Sequence, residues 1–281
     1  MNLSDWIGRT ESATDVLTPT PCAALAATLD LPPECPPPGT PLPPLWHWLY
    51  FLPLPRRSDI GPDGHAKRGA FLPPVPLPRR MWAGSRFAFH APLAIGDAVT
   101  RTSAIEGVTE KSGRTGPLVF VRVRHEVRRT GDADPALTEF HDIVYREAPR
   151  PGDPAPSAQP APAASAWEKR WVPDDVLLFR YSALTFNGHR IHYDRRYATE
   201  VEGYPGLVVH GPLQATLLLD LLRHEMPEAD VARFEFRAIR PVFDLHPFFA
   251  CGQPQPDGRS YALWIRDHEG ATAMTAAAVV R

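Results

Sequence analysis

Apolar and polar residues alternate along long stretches of both halves of the chain. In the first half the alternation covers residues 86–111, 116–129 and 136–147, and the segments SGRTG and TGDADP between them have the composition of turns. This pattern is typical of an antiparallel sheet with one face exposed to water. The sequence therefore predicts three long strands in the first half.

The last part of the chain repeats the pattern. Alternation returns in residues 232–252, 259–270 and 271–281, with the dipeptides Asp-Gly and Glu-Gly at the turns. We expect three more strands there. The chain would then consist of two successive copies of one β-rich arrangement.

One long helix is predicted, in the second half. The segment HGPLQATLLLDLLRHEM, residues 210–226, has Gly211 at the expected cap, Pro212 at the first helical position and Pro227 just past the end. Because a helix that is apolar nearly all round is buried, we expect a sheet wrapped around it. Its leucines cover most of the circumference: Leu213, Leu217, Leu218, Leu221 and Leu222.

A segment rich in Pro and Ala separates the two copies. Residues 149–167, PRPGDPAPSAQPAPAASAW, have no apolar period, and we interpret them as an exposed, extended linker. This linker divides the chain into an N-terminal domain, residues 1–148, and a C-terminal domain, residues 168–281. An earlier Pro-rich tract encloses the aromatic segment LWHWLYFL, whose side chains are expected to pack rather than to form a binding site.

Composition limits the partners. The 281 residues have a formal net charge of −2 and no run of five like charges, so we expect a small-molecule partner and no nucleic acid. No apolar run reaches the roughly 20 residues that a bilayer span needs. The N-terminus lacks a signal-peptide pattern, which predicts a cytoplasmic protein without a membrane segment. Three scattered cysteines argue against a disulfide framework and a structural zinc site.

The densest group of chemical side chains lies in YSALTFNGHRIHYD, residues 181–194, which is followed later by His210 and Gly211 at the predicted helix start. This loop resembles the motif of MaoC-like, R-specific enoyl-thioester hydratases and dehydratases. That motif reads Ser-Gly-Asp, any residue, Asn-Pro, an aliphatic residue and His. The resemblance implies an α+β fold of two tandem hotdog domains, each an antiparallel sheet around a central helix position. The N-terminal domain would be degenerate and the C-terminal domain catalytic.

The chain departs from the family motif in an informative way. The catalytic His falls on His192, but Asn187 replaces the Asp, and His189 and Arg190 replace the Asn-Pro pair. This version, together with FLPPVPLPRRMWAGSR and GYPGLVVHGPL, is similar to a branch that contains mesaconyl-CoA hydratases, itaconyl-CoA hydratases and mitochondrial hydroxyacyl-thioester dehydratases. The resemblance implies reversible hydration of an α,β-unsaturated acyl-CoA, with mesaconyl- or itaconyl-CoA as the first substrates to consider. It implies no cofactor beyond the CoA of the substrate.

Hydration of an enoyl thioester needs a group that exchanges protons with water and a donor for the charge that builds on the thioester oxygen. His192 is the natural acid and base, because an imidazole titrates near neutrality. The amide of Asn187 can orient the water, and the backbone N–H of Gly211, at a helix start, is the candidate oxyanion donor. His192 would then do alone what a pair of residues usually shares, unless His189 or Asp194 supplies the second function. Asp194 has the alternative role of capping a short helix.

Arg190 is the candidate for binding a second carboxylate on the substrate, because a planar guanidinium can hold it with two hydrogen bonds. The other predicted substrate-binding residues are His189, His210 and Arg180. His210 has the alternative role of bracing the helix entry. Two other arginines compete with Arg190 for the substrate carboxylate: Arg180 and Arg195. Three arginines of the first half are alternatives for binding the CoA phosphates: Arg79, Arg80 and Arg86.

The remaining polar segments are interpreted without a catalytic role. The segment GPDGHAKRG is expected to be a turn. The scattered Asp and His residues show no metal-ligand spacing, so no metal site is predicted. Five other histidines are expected to be structural: His65, His90, His125, His141 and His246.

Three other functions stay open. A dehydratase acting on acyl carrier protein would share the chemistry, and a hotdog thioesterase would need a carboxylate aimed at the carbonyl. A noncatalytic acyl-CoA-binding protein is favoured by Asn187 in place of Asp. The two domains are expected to form a pseudo-dimer within the chain, and a further homodimer is an alternative.

Overall fold

Ten strands and three helices make up the regular structure of the computed structural model, which describes residues 2–113, 116–148 and 158–281. The strands are β1 (Thr10–Val16), β2 (Arg79–Phe89), β3 (Ala98–Gly113), β4 (Gly116–Arg129), β5 (Leu137–Arg146), β6 (Trp167–Trp171), β7 (Val231–Ala238), β8 (Phe248–Pro254), β9 (Ser260–Arg266) and β10 (Thr272–Val280). The helices are α1 (Pro19–Thr28), α2 (Asp175–Leu184) and α3 (Gly211–Glu225). β3 is described as far as Gly113 and β4 from Gly116, on either side of residues 114–115.

The strand order repeats between the two halves of the chain. All ten strands form one antiparallel sheet in the order β1-β3-β4-β5-β2-β7-β10-β9-β8-β6. From the outer edge of the sheet to its centre, the first half has the order β1-β3-β4-β5-β2 and the second half has the order β6-β8-β9-β10-β7. In both halves the second strand of the half is therefore the central one. The halves join where β2 pairs with β7, from Gly84 opposite Arg237 to Ala88 opposite Arg233. The chain is therefore an internal pseudo-dimer, as the hotdog resemblance implies.

Each predicted first strand is in fact two strands. Residues 86–111 turn between β2 and β3, where Pro92 lacks an N–H for the ladder and Gly96 has a φ of +96°. Residues 232–252 turn between β7 and β8, a connection that contains Pro241 and Pro247. The prediction of single strands was wrong there because the apolar residues of the connections continued the alternation.

The two edge strands were not predicted. β1 is mostly exposed and polar in sequence, so no alternation of apolar residues marks it. β6 begins at Trp167, which had been assigned to the linker. Residues 149–157 of that linker lie outside the described residues. Residues 158–166 run along the second half, with the N–H of Ala166 bonded to the carbonyl of Gly252. The division into domains at residues 148 and 168 stays a prediction.

Helix α3 is the buried centre of the second half. Leu213, Leu217 and Leu218 have no exposed surface, and the helix packs against β6, β8, β9 and β10. The expected cap was one residue off. His210 is the N-cap in an extended conformation, its carbonyl accepts the N–H of Gln214, and Gly211 is the first helical residue.

The first half has no long helix at the corresponding place. Where the second half has α3, the segment between β1 and β2 contains α1 and two short 3-10 turns, Trp46–Leu49 and Arg57–Asp59. α1 was not predicted, although Pro19 in its first turn is a favourable start. The aromatic side chains pack as expected: Trp46 is buried, and the rings of Trp48 and Trp82 meet edge to face at 5.2 Å. No helix within the described ranges is long and apolar enough to cross a membrane.

Candidate active site

The polar cluster lies on the loop between α2 and α3, residues 185–210. The side-chain Oδ1 of Asn187 accepts the backbone N–H of His189 at 3.0 Å, and this bond folds the loop back on itself. A 3-10 turn, Arg190–His192, follows directly. The imidazole at the end of that turn lies perpendicular to the ring of His189, with 5.3 Å between the ring centres. The loop therefore brings two of the predicted site residues together.

His192 is buried, with one nitrogen bound and the other accessible. Its Nδ1 is 2.6 Å from the carbonyl oxygen of Val208, which can only accept, so Nδ1 carries the proton. Its Nε2 has no hydrogen-bond partner among the described residues, and this atom is not completely buried. Burial lowers the pKa of His192 to about 4. The imidazole is thus neutral at pH 7, with a lone pair on an accessible nitrogen.

His210 supports His192 from the start of α3. Their rings stack at 3.7 Å, and Nε2 of His210 is hydrogen-bonded at 2.8 Å to the hydroxyl of Ser182 on α2. His210 is fully buried, and burial lowers its pKa well below the ordinary value. These contacts are those of a brace between two helices. The predicted role of His210 in substrate binding stays a prediction.

Gly211 follows as the first residue of α3. No acceptor within the described part of the chain bonds its N–H, and a Cβ placed on it would meet no atom within 4 Å. The positive end of the helix dipole lies at the same place. Gly211 therefore combines a free N–H, open space and the positive end of the helix dipole, and it directly follows His210, whose ring stacks on that of His192.

A segment of the first half docks against this loop. The carbonyl of Asp63 accepts the N–H of Arg190 at 2.9 Å. Gly64, with a φ of +89°, approaches so closely that a Cβ there would lie 1.7 Å from the carbonyl oxygen of Gly188. The ring of His65 then lies 4.0 Å from that of His189. The segment that the sequence predicted to be a plain turn is part of the candidate site.

Asp63 and His65 form a hydrogen-bonded pair. The carboxylate accepts Nδ1 of His65 at 3.0 Å and the backbone N–H of the same residue at 3.1 Å. Burial alone would raise the pKa of Asp63, but the hydrogen bonds and charge of His65 lower it below the ordinary value. The carboxyl group is therefore ionised at neutral pH. His65 was expected to be structural, and the sequence could not show that it meets His189.

His189 lies between His65 and His192. Burial lowers its pKa to about 2, and the neighbouring imidazoles of His65 and His192 add to this effect. Burial also lowers the pKa of His65, although the hydrogen bond to Asp63 opposes the change. Four neutral imidazoles, from His65 to His210, thus form one continuous row from the first half to α3.

Arg190 is engaged by the protein itself. Its Nη2 and Nε lie 2.7 and 3.0 Å from a carboxylate oxygen of Asp194, and its Nη1 donates to the carbonyl of Pro62 at 3.0 Å. Its guanidinium also lies over the ring of Tyr197. A substrate carboxylate would have to compete with Asp194. Asp194 in turn accepts the N–H of Tyr197 at 3.0 Å, so it caps the following short helix.

The other arginines differ in their partners. Arg180 is exposed on α2, and Arg195 pairs with Asp175 and Asp244. Arg79 pairs with Glu202 of the second half at 3.0 Å. None of these three lies in the row of imidazoles.

Two arginines of the first half act on the site, Arg68 and Arg80. Burial is the main cause of the low pKa values of His65 and His189. Arg68 and Arg80 both lower the pKa of His65 further, and Arg80 also lowers that of His189. Arg80 has no ion-pair partner in the described part of the molecule, whereas its strand neighbours Arg79 and Arg86 each have one. Burial raises the pKa of Tyr145 and lowers that of His141, and Arg80 acts on both toward lower values, so its charge acts on buried polar side chains of the first half as well.

The site also contains a group with metal-holding geometry that the sequence did not predict. Asp63, His65 and His189 each offer one ligand atom, and these atoms lie within 4.8 Å of one another. Sequence spacing could not reveal this group, because its members come from opposite halves. Two features disfavour a cation there: the carboxylate is already bound by His65, and Arg80 contributes a positive charge.

A second buried polar cluster lies in the first half. Glu139 accepts Nε1 of Trp48 at 3.2 Å and lies 3.5 Å from Nε2 of His47. Burial would raise the pKa of Glu139, but the hydrogen bond and charges of the surrounding histidines lower it to about 2. Burial lowers the pKa of His125 to about 4 and that of His141 to about 3. His125 is hydrogen-bonded to Ser103 and His141 stacks on Trp82, which fits the structural role predicted for both histidines.

Comparison with known proteins identifies relatives over most of the chain. The model of the hydroxyacyl-thioester dehydratase type 2 family matches residues 45–244. A mesaconyl-C(4)-CoA hydratase of Chloroflexus aurantiacus is 49% identical over 274 residues, covering 96% of this chain and 95% of that protein. The mitochondrial hydroxyacyl-thioester dehydratase type 2 of Schizosaccharomyces pombe is 29% identical over 265 residues, covering 84% and 88%.

Solved structures share the architecture. HtdX of Mycobacterium tuberculosis superposes with a TM-score of 0.67 at 20% identity, covering 97% of this chain and 99% of that chain. Another M. tuberculosis protein, described as a double hotdog fold, has a TM-score of 0.57 at 16% identity, covering 97% and 96%. At these identities the likeness concerns the fold alone, and it confirms the tandem hotdog. With the match of the family model and the 49% identical relative, it follows that the chain belongs to the hydroxyacyl-thioester dehydratase type 2 family.

Proposed function

We propose that the protein is a hydro-lyase that reversibly adds water to the double bond of an α,β-unsaturated acyl-CoA. The family and the 49% identical hydratase support this reaction. The observation that carries it in this chain is the pairing of two groups: the accessible Nε2 of neutral His192 and the free N–H of Gly211 at the start of α3. The two groups match the base and the oxyanion donor that the chemistry needs.

The proposed reaction uses His192 as a single acid–base group. As the water oxygen bonds to the β-carbon, one water proton moves to Nε2 of His192. The electron pair of the double bond moves toward the thioester oxygen, where Gly211 donates its N–H. The pair then returns to the α-carbon, which takes the proton back from the imidazolium. Dehydration is the reverse sequence, and concentrations set the direction.

The proposed substrate is a branched dicarboxylic thioester such as mesaconyl-CoA. The Chloroflexus relative is named for that substrate. Arg190 was the expected partner of the second carboxylate, but its guanidinium is bound to Asp194. We assign that role to Arg80, whose charge acts on His65 and His189 without an ion-pair partner among the described residues. A charged hydrogen bond of this kind contributes about 1.5 to 3 kcal/mol.

The test is the loss of enoyl-thioester ultraviolet absorbance with mesaconyl-, itaconyl- and crotonyl-CoA. We expect turnover that favours a dicarboxylic thioester, and a loss of about 100-fold or more in kcat for His192→Ala. Arg80→Met should raise KM for the dicarboxylic thioester about tenfold or more and leave crotonyl-CoA unchanged. Arg190→Met is the matched control, which should affect all substrates alike by loosening the loop.

Other results would point elsewhere. Selective loss of the dicarboxylic substrate in Arg190→Met, but not in Arg80→Met, would return the role to Arg190. Binding of all three thioesters without turnover would favour a dehydratase acting on acyl carrier protein or a noncatalytic acyl-CoA-binding protein. A cytoplasmic location and a homodimer remain predictions from the sequence.

A further inference from the structure

A water molecule that attacks the β-carbon must point a lone pair at that carbon. It does so most directly when both of its hydrogens are held by acceptors. His192 provides one acceptor, its Nε2. The family motif has an Asp for the other, but this chain has Asn187, whose Oδ1 already accepts the N–H of His189 at 3.0 Å. The amide nitrogen of Asn187 can only donate. The second acceptor has to come from another residue.

The first half brings an imidazole with the necessary properties. Its Nδ1 is held by the ionised carboxylate of Asp63 at 3.0 Å, so the proton lies on Nδ1 and Nε2 keeps its lone pair. Among the described residues, His65 is the one imidazole of this row that is hydrogen-bonded to a carboxylate. His192 is held instead by the carbonyl of Val208.

His65 also lies in the same row of imidazoles as His192, with the ring of His189 between them. Its ring contacts that of His189, which meets His192 edge-on. The Nε2 of His65 has no hydrogen-bond partner among the described residues, and this atom is not completely buried. Accessible lone pairs on His65 and His192 therefore lie in one cluster. The backbone bond from Arg190 to Asp63 fixes the two segments to each other.

We propose that Asp63 and His65 replace the missing motif carboxylate of the hydratase site. His65 is a catalytic residue whose Nε2 accepts a hydrogen bond from the water O–H that is retained in the product. Asp63 is a positioning residue that holds the tautomer of His65. This assignment rests on the proposed hydratase function and adds the N-terminal half to its active site.

The test combines loss and rescue. We expect His65→Ala to lower kcat about 100-fold, because the attacking water loses its orientation. Adding Asn187→Asp to this variant restores the carboxylate of the motif and should recover kcat about tenfold. The same substitution should not rescue His192→Ala. His90→Ala, at an exposed histidine of the same half, is the control with unchanged kcat.

Asp63→Asn provides a second variant that preserves shape. Its amide can donate to Nδ1 of His65, which moves the proton to Nε2 and removes the acceptor. We expect kcat to fall with little change in KM, and the ¹⁵N chemical shifts of the imidazole to report the changed tautomer. This variant decides the question if His65→Ala does not fold, as judged by circular dichroism.

The outcomes are distinct. A wild-type protein without hydratase turnover would overturn the proposed function and this assignment together. An active wild type with full kcat in folded His65→Ala or Asp63→Asn overturns the assignment alone, as does a deficit of His65→Ala that Asn187→Asp leaves unchanged. Loss of activity with a chelator and recovery with Zn²⁺ would show that Asp63, His65 and His189 bind a metal instead.

Discussion

At the scale of single residues, Gly211 combines two features that the proposed chemistry needs. Its N–H is the first of α3 and has no acceptor among the described residues. Its missing side chain leaves open space, since a Cβ would meet no atom within 4 Å. The N–H stabilises developing charge, whereas the open space permits approach of the thioester. Substitutions can separate the two contributions.

We predict that Gly211→Pro lowers kcat about 100-fold, whereas Gly211→Ala mainly raises KM. Proline removes the N–H but is well tolerated in the first turn of a helix, and the extended conformation of His210 is compatible with a following proline. Alanine keeps the N–H and only fills space. Steady-state kinetics on both variants checks this, and a folded Gly211→Pro protein with normal kcat would contradict it.

At the scale of elements, the position of the catalytic loop depends on a segment remote from it in sequence. The backbones of Gly64 and Gly188 approach so closely that neither position has room for a side chain. The bonds from Arg190 to the carbonyls of Pro62 and Asp63 complete the contact. The loop is therefore held by the first half as well as by its own turn.

Gly64→Ala is predicted to lower both stability and kcat. Its Cβ would lie 1.7 Å from the carbonyl oxygen of Gly188, so the segment has to move and takes His65 with it. Gly69→Ala is the matched control, because Gly69 also has a positive φ but its Cβ would meet only Pro74 at 3.8 Å. The control should cost about 1 to 2 kcal/mol and keep its kcat. Equal effects of the two variants on thermal unfolding and turnover would refute the docking role.

At the scale of the whole molecule, the joined sheet buries histidines of both halves as neutral imidazoles. Burial lowers the pKa of His189 to about 2, of His141 to about 3, and of His125 and His192 to about 4. In the unfolded chain their pKa is about 6.5. Between those values the unfolded chain binds protons that the folded chain does not. Acidification below pH 6.5 therefore favours unfolding.

The free energy of unfolding should fall steeply as the pH is lowered from 6.5 toward 4. His192 by itself accounts for a loss on the order of 3 kcal/mol over that range. Urea unfolding at pH 7.5, 6.5 and 5.5 measures how the free energy of unfolding depends on pH. The slope gives the number of protons taken up on unfolding, and His192→Gln should lower that number by about one. A stability that is constant or rises on acidification would contradict the neutral state of the buried imidazoles.

Local patterns in the sequence determined much of the fold and part of the site. Alternation of apolar residues located most strands, and the leucines of residues 213–222 identified the buried helix. The motif ending in His192 indicated the family, because its spacing lies within one loop. These features depend on neighbours in the chain, so a single sequence is enough to recognise them.

Contacts between distant segments were decided only by the tertiary structure. The pairing of β2 with β7 and the docking of the segment around Gly64 bring Asp63 and His65 to His189. They also leave Arg80 without an ion-pair partner within the described ranges, while Arg190 pairs with Asp194. No periodicity encodes which segments meet across the two halves. The sequence by itself determined the elements and the catalytic loop, and the packing of one half on the other decided which side chains surround that loop.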